Sequence, residues 1–290
     1  METIGIVSPG AMGSAVGAAY IGAGARVVVT LDGRSERTHR LAERAGLELL
    51  PTLDDVVAAS DLVLSIAPPG EAEAIARELA AAAGRTGARP LVSDWNAVAP
   101  ATALRIGDTL GGAGLQLVDG SISGGPPRPG YRTRVYLSGR RADELAAAAP
   151  DRIDARVVGS EVGLASAVKM CTASVYKGFT SLLVHALVTA DAHGVLPQVL
   201  DDLHDSFPRQ LDHVARLVAM SATKAGRYVA EMREIAATQA AAGLTPALFD
   251  ALAEVNEAIA TTPAAADAPE EVGDPELADV VARLAPGRAG

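Results

Sequence analysis

Two lysines, Lys169 and Lys177, fall within Gly163-Leu-Ala-Ser-Ala-Val-Lys-Met-Cys-Thr-Ala-Ser-Val-Tyr-Lys-Gly178. The 290-residue chain holds 25 lysines and arginines, and its only other lysine is Lys224. Arginine keeps its proton inside proteins, whereas a desolvated lysine can give one up. Ala165, Val168, Met170 and Cys171 offer Lys169 an apolar surround. Lys169 is therefore a candidate proton donor. The plain alternative is a pair of solvated charges on a helix, and what decides is whether the rest of the chain supplies a proton acceptor.

A second constellation opens the chain. Thr3-Ile-Gly-Ile-Val7 reads as a strand, Ser8-Pro-Gly-Ala-Met-Gly13 as a tight turn, Ser14 to Gly24 as a helix and Arg26-Val-Val-Val-Thr30 as a strand. This βαβ unit carries the dinucleotide fingerprint G-x-G-x-x-G with Ser8 in place of the first glycine. Gly10 lets backbone approach a pyrophosphate, Gly13 lets the helix pack close, and Ser8, Pro9, Ala11 and Met12 complete the phosphate turn at the helix N-terminus. The loop after the second strand, Leu31-Asp-Gly-Arg-Ser-Glu-Arg37, faces the adenine ribose. Asp32 suits a free 2′-hydroxyl, as in NAD(H); Arg34, Ser35 and Arg37 suit a 2′-phosphate. NADP(H) is favoured, with NAD(H) the alternative.

Strands and helices alternate up to Val158. Strands are predicted at 61–67, 90–94, 116–119, 134–138 and 155–158, and helices at 52–59, 71–83, 101–110 and 142–148. Gly120 to Pro127 is read as a loop. From Gly159 strand signals cease, and helical runs are predicted at 162–193, 197–207, 210–219, 224–242, 246–260 and 277–284. The fold class is an α/β Rossmann domain with a mostly parallel, doubly wound sheet (1–158), followed by an all-α domain (159–290) for substrate and dimer contacts. Residues 261–275, rich in Ala, Pro and acids, read as a mobile linker.

Composition excludes several classes. The net charge of −10 and 3% aromatic content argue against nucleic-acid binding. No apolar run reaches the ~20 residues of a membrane span, and Met1-Glu-Thr runs straight into a strand without a basic leader. A cytoplasmic protein is expected. One cysteine, Cys171, allows no internal disulfide and reads as a small core residue. His185, His193, His204 and His213 form no recognised ligand motif, and no metal is expected.

Four motifs in order resemble the β-hydroxyacid dehydrogenase superfamily, which includes 6-phosphogluconate and 3-hydroxyisobutyrate dehydrogenases. Ser8 to Gly13 resembles its cofactor turn G-x-G-x-M-G. Asp94-Trp-Asn-Ala-Val-Ala-Pro100 resembles the D-x-S-T-x-x-P loop, and Asp119-Gly-Ser-Ile-Ser-Gly-Gly125 resembles D-A-P-V-S-G-G. The Gly163 to Lys169 stretch resembles the helix bearing the catalytic lysine. Lys169-Met-Cys-x-Ala-x-x-x-Lys177-Gly and Glu231-Met-x-Glu-Ile-Ala236 resemble a branch with a DUF1932-type C-terminal domain. The resemblance implies that Lys169 acts as general acid when a carbonyl is reduced and as base when an alcohol is oxidised. It implies that Ser121, Ser123, Gly124 and Gly125 hold the substrate's polar end, that Asn96 stands near the nicotinamide, and that Ala67, Pro68 and Pro69 line the dinucleotide. It also implies a homodimer formed through the helical domain.

One departure bears on the substrate. The family places asparagines three and four residues after the lysine, where this chain has Thr172 and Ala173. Thr172, Tyr176 and Lys177 are the candidates for the missing contact. At 100° per residue Tyr176 lies about 20° off the face of Lys169 and Lys177 about 80°. The leading expectation is an NAD(P)-dependent oxidoreductase of a small, hydroxyacid-like carbonyl or alcohol. The alternatives are an imine reductase of the same fold, which generally carries Asp or Tyr in place of the lysine, and a non-catalytic NADP-binding sensor.

Overall fold

A computed structural model describes residues 1–269 and 271–285. The chain divides into two compact units within one long helix, the first ending at Cys171.

The first unit begins β1 (Thr3–Val7), α1 (Ala11–Gly22), β2 (Arg26–Val29), α2 (Glu36–Arg44), β3 (Glu48–Leu49), α3 (Leu53–Ala59), β4 (Leu62–Ser65) and α4 (Ala72–Thr86). It continues β5 (Leu91–Asp94), α5 (Pro100–Gly112), β6 (Gln116–Ser123), β7 (Thr133–Ser138), α6 (Ala142–Ala147), β8 (Ile153–Gly159) and the start of α7 (Leu164–Ala192). The strands form one sheet of order β3-β2-β1-β4-β5-β6-β7-β8. All neighbours pair in parallel except β6 and β7. A parallel sheet is covered on both faces, so its strands are apolar throughout rather than alternating. β4 shows this: Leu62 and Leu64 enter one core with Ile4, Ile6 and Leu91, while Val63 enters the other with Val92 and Ile75. The strand order reverses at β1–β4, and the carboxyl ends there open the crevice where such sheets take ligands.

The second unit contains the rest of α7, then α8 (Leu196–Ser206), α9 (Pro208–Leu211), α10 (Val214–Ala222), α11 (Ala225–Ala241), α12 (Ala247–Ala260) and α13 (Leu277–Leu284). Leu183, Leu187, Val218, Ala225 and Val281 form its core. No helix among the described residues is long and apolar enough to cross a membrane.

Several elements differ from expectation. Helix α2 and strand β3 were not foreseen; α2 is strongly polar, with only Ala42 buried, so its apolar stripe is too thin to read. Strand β6 runs on through Gly120 to Ser123, because pairing with antiparallel β7 extends it into the Gly/Ser-rich segment. The helix expected over 210–219 is broken into α9 and α10. The presumed mobile linker contains a 3-10 turn at Pro263–Ala265 with Ala264 buried. Arg283 ties that turn down through Pro263 O at 2.8 Å and Asp267 at 2.7 Å; Glu270 lies outside the described residues. Cys171 is exposed rather than a core residue.

Candidate active site

At the carboxyl end of β1, Ser8 takes φ 63°, the left-handed conformation natural to the glycine it replaces. The Gly10 N–H donates to Ser8 O at 2.8 Å, and Ser14 Oγ donates to Pro9 O at 2.6 Å, which buckles the turn. A Cβ on Gly13 would sit 3.0 Å from Ser8 O, so α1 approaches the turn this closely only with glycine there. Around Gly10 there is open space, with nothing within 4 Å of a built Cβ. No side chain caps α1, whereas Ser35 caps α2 and Thr52 caps α3. The first-turn N–H groups, from Ala11 and Met12 onward, thus suit a pyrophosphate, and the turn fits a dinucleotide.

Beside the end of β2 lies an open depression of about 490 Å³, lined by Asp32, Gly33, Arg34, His39, Leu49 and Pro51 among others. Gly33, at φ 68°, permits the turn in which Arg34 N donates to Leu31 O at 3.0 Å. Ser35 Oγ accepts from Thr38 N at 3.3 Å, so this hydroxyl caps α2 while Arg37 occupies the helix's first turn. Arg34 is loosely paired, 4.0 Å from Glu71. Arg34 and the exposed Asp32 line the depression together, and Arg37 is not among the residues that line it. His39 was not foreseen as a lining residue, since its helix was missed.

Asn96 is enclosed at the ends of β4 and β5, with 2% of its surface exposed. Its Nδ2 donates to Ser65 Oγ at 2.9 Å and Asp94 Oδ2 at 2.7 Å, and its Oδ1 accepts from Ala67 N at 2.6 Å. The amide therefore locks two strand ends together rather than aiming into the crevice. Pro68 is exposed beside it and Pro69 is buried. Asp94 is buried, and desolvation pushes its carboxyl up to about 7 against the opposing hydrogen bonds from Asn96 and Ser65. Trp95 donates its indole N–H to Ser93 Oγ at 2.8 Å and lies flush against Gly120, where a Cβ would come 2.3 Å from the ring.

Asp119, paired in register with Asp94, organises the start of α7. Its Oδ2 accepts from Gly163 N at 2.9 Å, Ser166 N at 3.1 Å and Ser138 Oγ at 2.9 Å, and its Oδ1 from Ser166 Oγ at 2.7 Å. Burial raises this carboxyl's pKa, and the four donors oppose the rise. A carboxylate at the N-terminus of a 29-residue helix also meets the favourable end of the macrodipole. Two residues on, Ser121 is fully buried and donates to Ala165 O at 2.8 Å, so it ties β6 to α7 instead of facing a substrate. Lys169, one turn beyond Ala165, lies beside Ile122, the residue after Ser121, and the Ile122 carbonyl accepts from Nζ at 2.7 Å. Ser123 and Gly125, both half-buried, and the exposed Gly124 follow immediately along β6 and its exit loop. The cap made by Asp119, Ser138 and Ser166 was missed; Asp119 stood in the quoted motif, but nothing in sequence showed what it would bind.

Further along α7, in the helical unit, Thr172 is half-buried and Tyr176 is 73% exposed. Lys177 is ion-paired with Glu231, the two being 12% and 6% exposed, and its ammonium lies 4.1 Å from the centre of the Tyr228 ring. Arg227 reaches the other oxygen of Glu231 at 3.2 Å. Lys177 is thus engaged by its own helical neighbours.

Comparison with known proteins agrees with this fold. Residues 3–89 match the family NADP oxidoreductase, coenzyme F420-dependent, and residues 190–259 match DUF1932, a domain of unknown function. A 28.5 kDa protein of Methanothermus fervidus is 27% identical over 180 residues, spanning 62% of this chain and 68% of that protein. A solved structure described as similar to 3-hydroxyacid dehydrogenases is 26% identical, with a TM-score of 0.64, over 89% of this chain and 96% of that one. The 3-hydroxyisobutyrate dehydrogenase of Mycobacterium tuberculosis shares the fold at 19% identity and TM-score 0.68, over 98% and 99% of the two chains. An imine reductase of Streptomyces aurantiacus shares it at 21% identity and TM-score 0.57, over 93% and 98%.

Proposed function

We propose, from the premise that this chain joins an NADP-oxidoreductase-type segment to a DUF1932 segment on the 3-hydroxyacid dehydrogenase fold, that it is an NADP(H)-dependent dehydrogenase or reductase acting on a carbonyl or alcohol carbon. The observation that carries this reading is the placement of Lys169 against Ile122 O, at the mouth of the Ser123-Gly124-Gly125 loop. When bound, the nicotinamide supplies or accepts the hydride. Lys169 Nζ gives its proton to the substrate oxygen as a carbonyl is reduced, or takes it from an alcohol in reverse. Ser123 Oγ orients the oxygen-bearing end of the substrate, and such positioning accounts for most of the rate. Asp119 holds the phase of α7, so Lys169 cannot rotate away without breaking the cap. Arg34 and Arg37 at the start of α2 are the residues that favour the 2′-phosphate of NADP(H).

The protein is read as a homodimer of the helical unit, because Val175, Tyr176 and Leu182 leave α7 with an exposed apolar stripe at 69%, 73% and 60%. Imine reduction is the second reading of the same fold; the lysine disfavours it, since an iminium substrate arrives already protonated.

The test combines fluorescence titration with NADPH and NADH and a turnover panel of 2- and 3-keto acids, aldehydes and cyclic imines. Lys169→Ala should bind NADPH as wild type does and lose turnover by about 100-fold or more. Equal turnover by this variant refutes the proton-donor role, and imine turnover without carbonyl turnover installs the second reading. Tight cofactor binding with no turnover across the panel would mark a sensor. Arg34→Ala should weaken NADPH more than NADH, and equal losses would refute the cofactor preference.

A further inference from the structure

The exit loop of β6 is held by a side chain that neither the motifs nor the cofactor crevice accounts for. Gly125 N donates to Tyr131 Oη at 3.2 Å, and Thr133 Oγ1 donates to Gly125 O at 2.7 Å. Gly124 takes φ 130°, and a Cβ there would meet Tyr131 Oη at 2.4 Å, so the hydroxyl rests directly on the Gly-Gly backbone. A phenol that accepts from a backbone N–H keeps its own O–H to donate. The Gly125 N–H expected to hold substrate is thus already committed, and Tyr131 Oη presents the donor in its place.

A cation accompanies it. The Arg128 guanidinium lies 4.7 Å from the centre of the Tyr131 ring, and its Nη1 would be 3.8 Å from a Cβ on Gly125. A two-residue turn fixes this arrangement, with Arg128 and Tyr131 exchanging backbone hydrogen bonds of 2.9 and 3.4 Å. Arg128 has no carboxylate partner among the described residues, whereas Arg26, Arg85, Arg105, Arg141, Arg233 and Arg283 all do. Stacking on a ring holds a guanidinium in place without neutralising it.

We propose that Arg128 and Tyr131 form the acid-binding corner of the substrate site and that these two residues set the preference for a carboxylate-bearing carbonyl over a neutral one. The carboxylate lies on the Arg128 fork and takes the Tyr131 O–H, a charge-assisted set of the kind arginine suits. This pair takes over the anchoring that Thr172 and Ala173, in place of the family's asparagines, do not provide. The proposal rests on the Lys169 reading for which atom reacts, but not for where the acid binds.

Two measurements separate them. In the first, calorimetry follows tartronate binding to the protein saturated with NADP+. Saturable binding at millimolar concentration is expected, about 10-fold or more weaker in Arg128→Gln and several-fold weaker in Tyr131→Phe, with NADP+ affinity unchanged. In the second, NADPH oxidation compares succinic semialdehyde with butyraldehyde. Arg128→Gln should raise KM for the acid by about 10-fold or more, leave butyraldehyde unaffected, and be partly rescued as Arg128→Lys. No tartronate binding to wild type, or equal losses for charged and neutral aldehydes, overturns the acid corner. Tartronate binding that depends on Arg128, in a protein whose turnover ignores Lys169→Ala, keeps the corner and removes the proton donor.

Discussion

Replacing Asp94 with Asn should flatten the pH dependence of stability in the α/β unit. Asp94 is 4% exposed, and burial lifts its carboxyl from 3.8 to about 7. In the unfolded chain the group returns to its ordinary value, so between pH ~4 and ~7 the folded state binds the extra proton. Stability contributed by this group is therefore full below its unfolded pKa and is lost as pH rises through the folded one. The rise corresponds to at most about 4 kcal/mol, and relaxation around the charge should leave about half of that. Asp119, the charged neighbour across the strand pair, is raised in the same direction and remains in both proteins. Urea unfolding followed by far-UV circular dichroism at pH 5 and pH 8 measures the difference. Wild type should lose about 2 kcal/mol more than Asp94→Asn over that interval. The variant also loses one acceptor for Asn96, which lowers its stability by about 1 kcal/mol at every pH and does not affect the slope. Parallel slopes in the two proteins would refute a neutral Asp94.

Two further substitutions probe local geometry. Ser8→Gly should stabilise the protein by about 1 kcal/mol, seen as a Tm about 2–4 °C higher, because glycine takes the left-handed conformation without strain; an unchanged or lower Tm would mean that the Ser8 side chain holds the turn. Lys177→Met leaves Glu231 buried without its nearest cation and should destabilise by about 3 kcal/mol, recovered in part by adding Glu231→Gln; a fully stable variant with only a raised KM would assign Lys177 to substrate instead.

The parallel sheet was readable because its strands are short apolar runs bounded by Gly and Pro, and the phosphate turn because its glycines sit between a strand and a helix. Helix α2 was unreadable for the opposite reason: Glu36 to Arg44 is mostly polar and charged, and it is defined by its Ser35 cap and not by burial. Strand β6 was cut short because Gly120 looks like a loop residue. Its lack of a side chain is instead what admits Trp95 against the strand. Lys169 was visible from residue type alone, in a chain that otherwise uses arginine. What holds it was not, because Asp119, Ser138 and Ser166 are far apart in sequence and meet only when β6, β7 and α7 assemble. Tyr131 and Arg128 were passed over for a similar reason: their loop carries no periodic pattern, and only the folded turn lays one upon the other.

Trp95 is the only tryptophan in the chain. It is 3% exposed, wedged between Gly120 and Ser93 at the strand ends that frame Asp94 and Asp119. Light emitted by this protein's indole therefore comes from one address. A reduced nicotinamide absorbs where indole emits, so cofactor arrival in the crevice should dim that emission. The wild-type chain carries its own optical gauge of site occupancy, with no label to attach and no second indole to subtract.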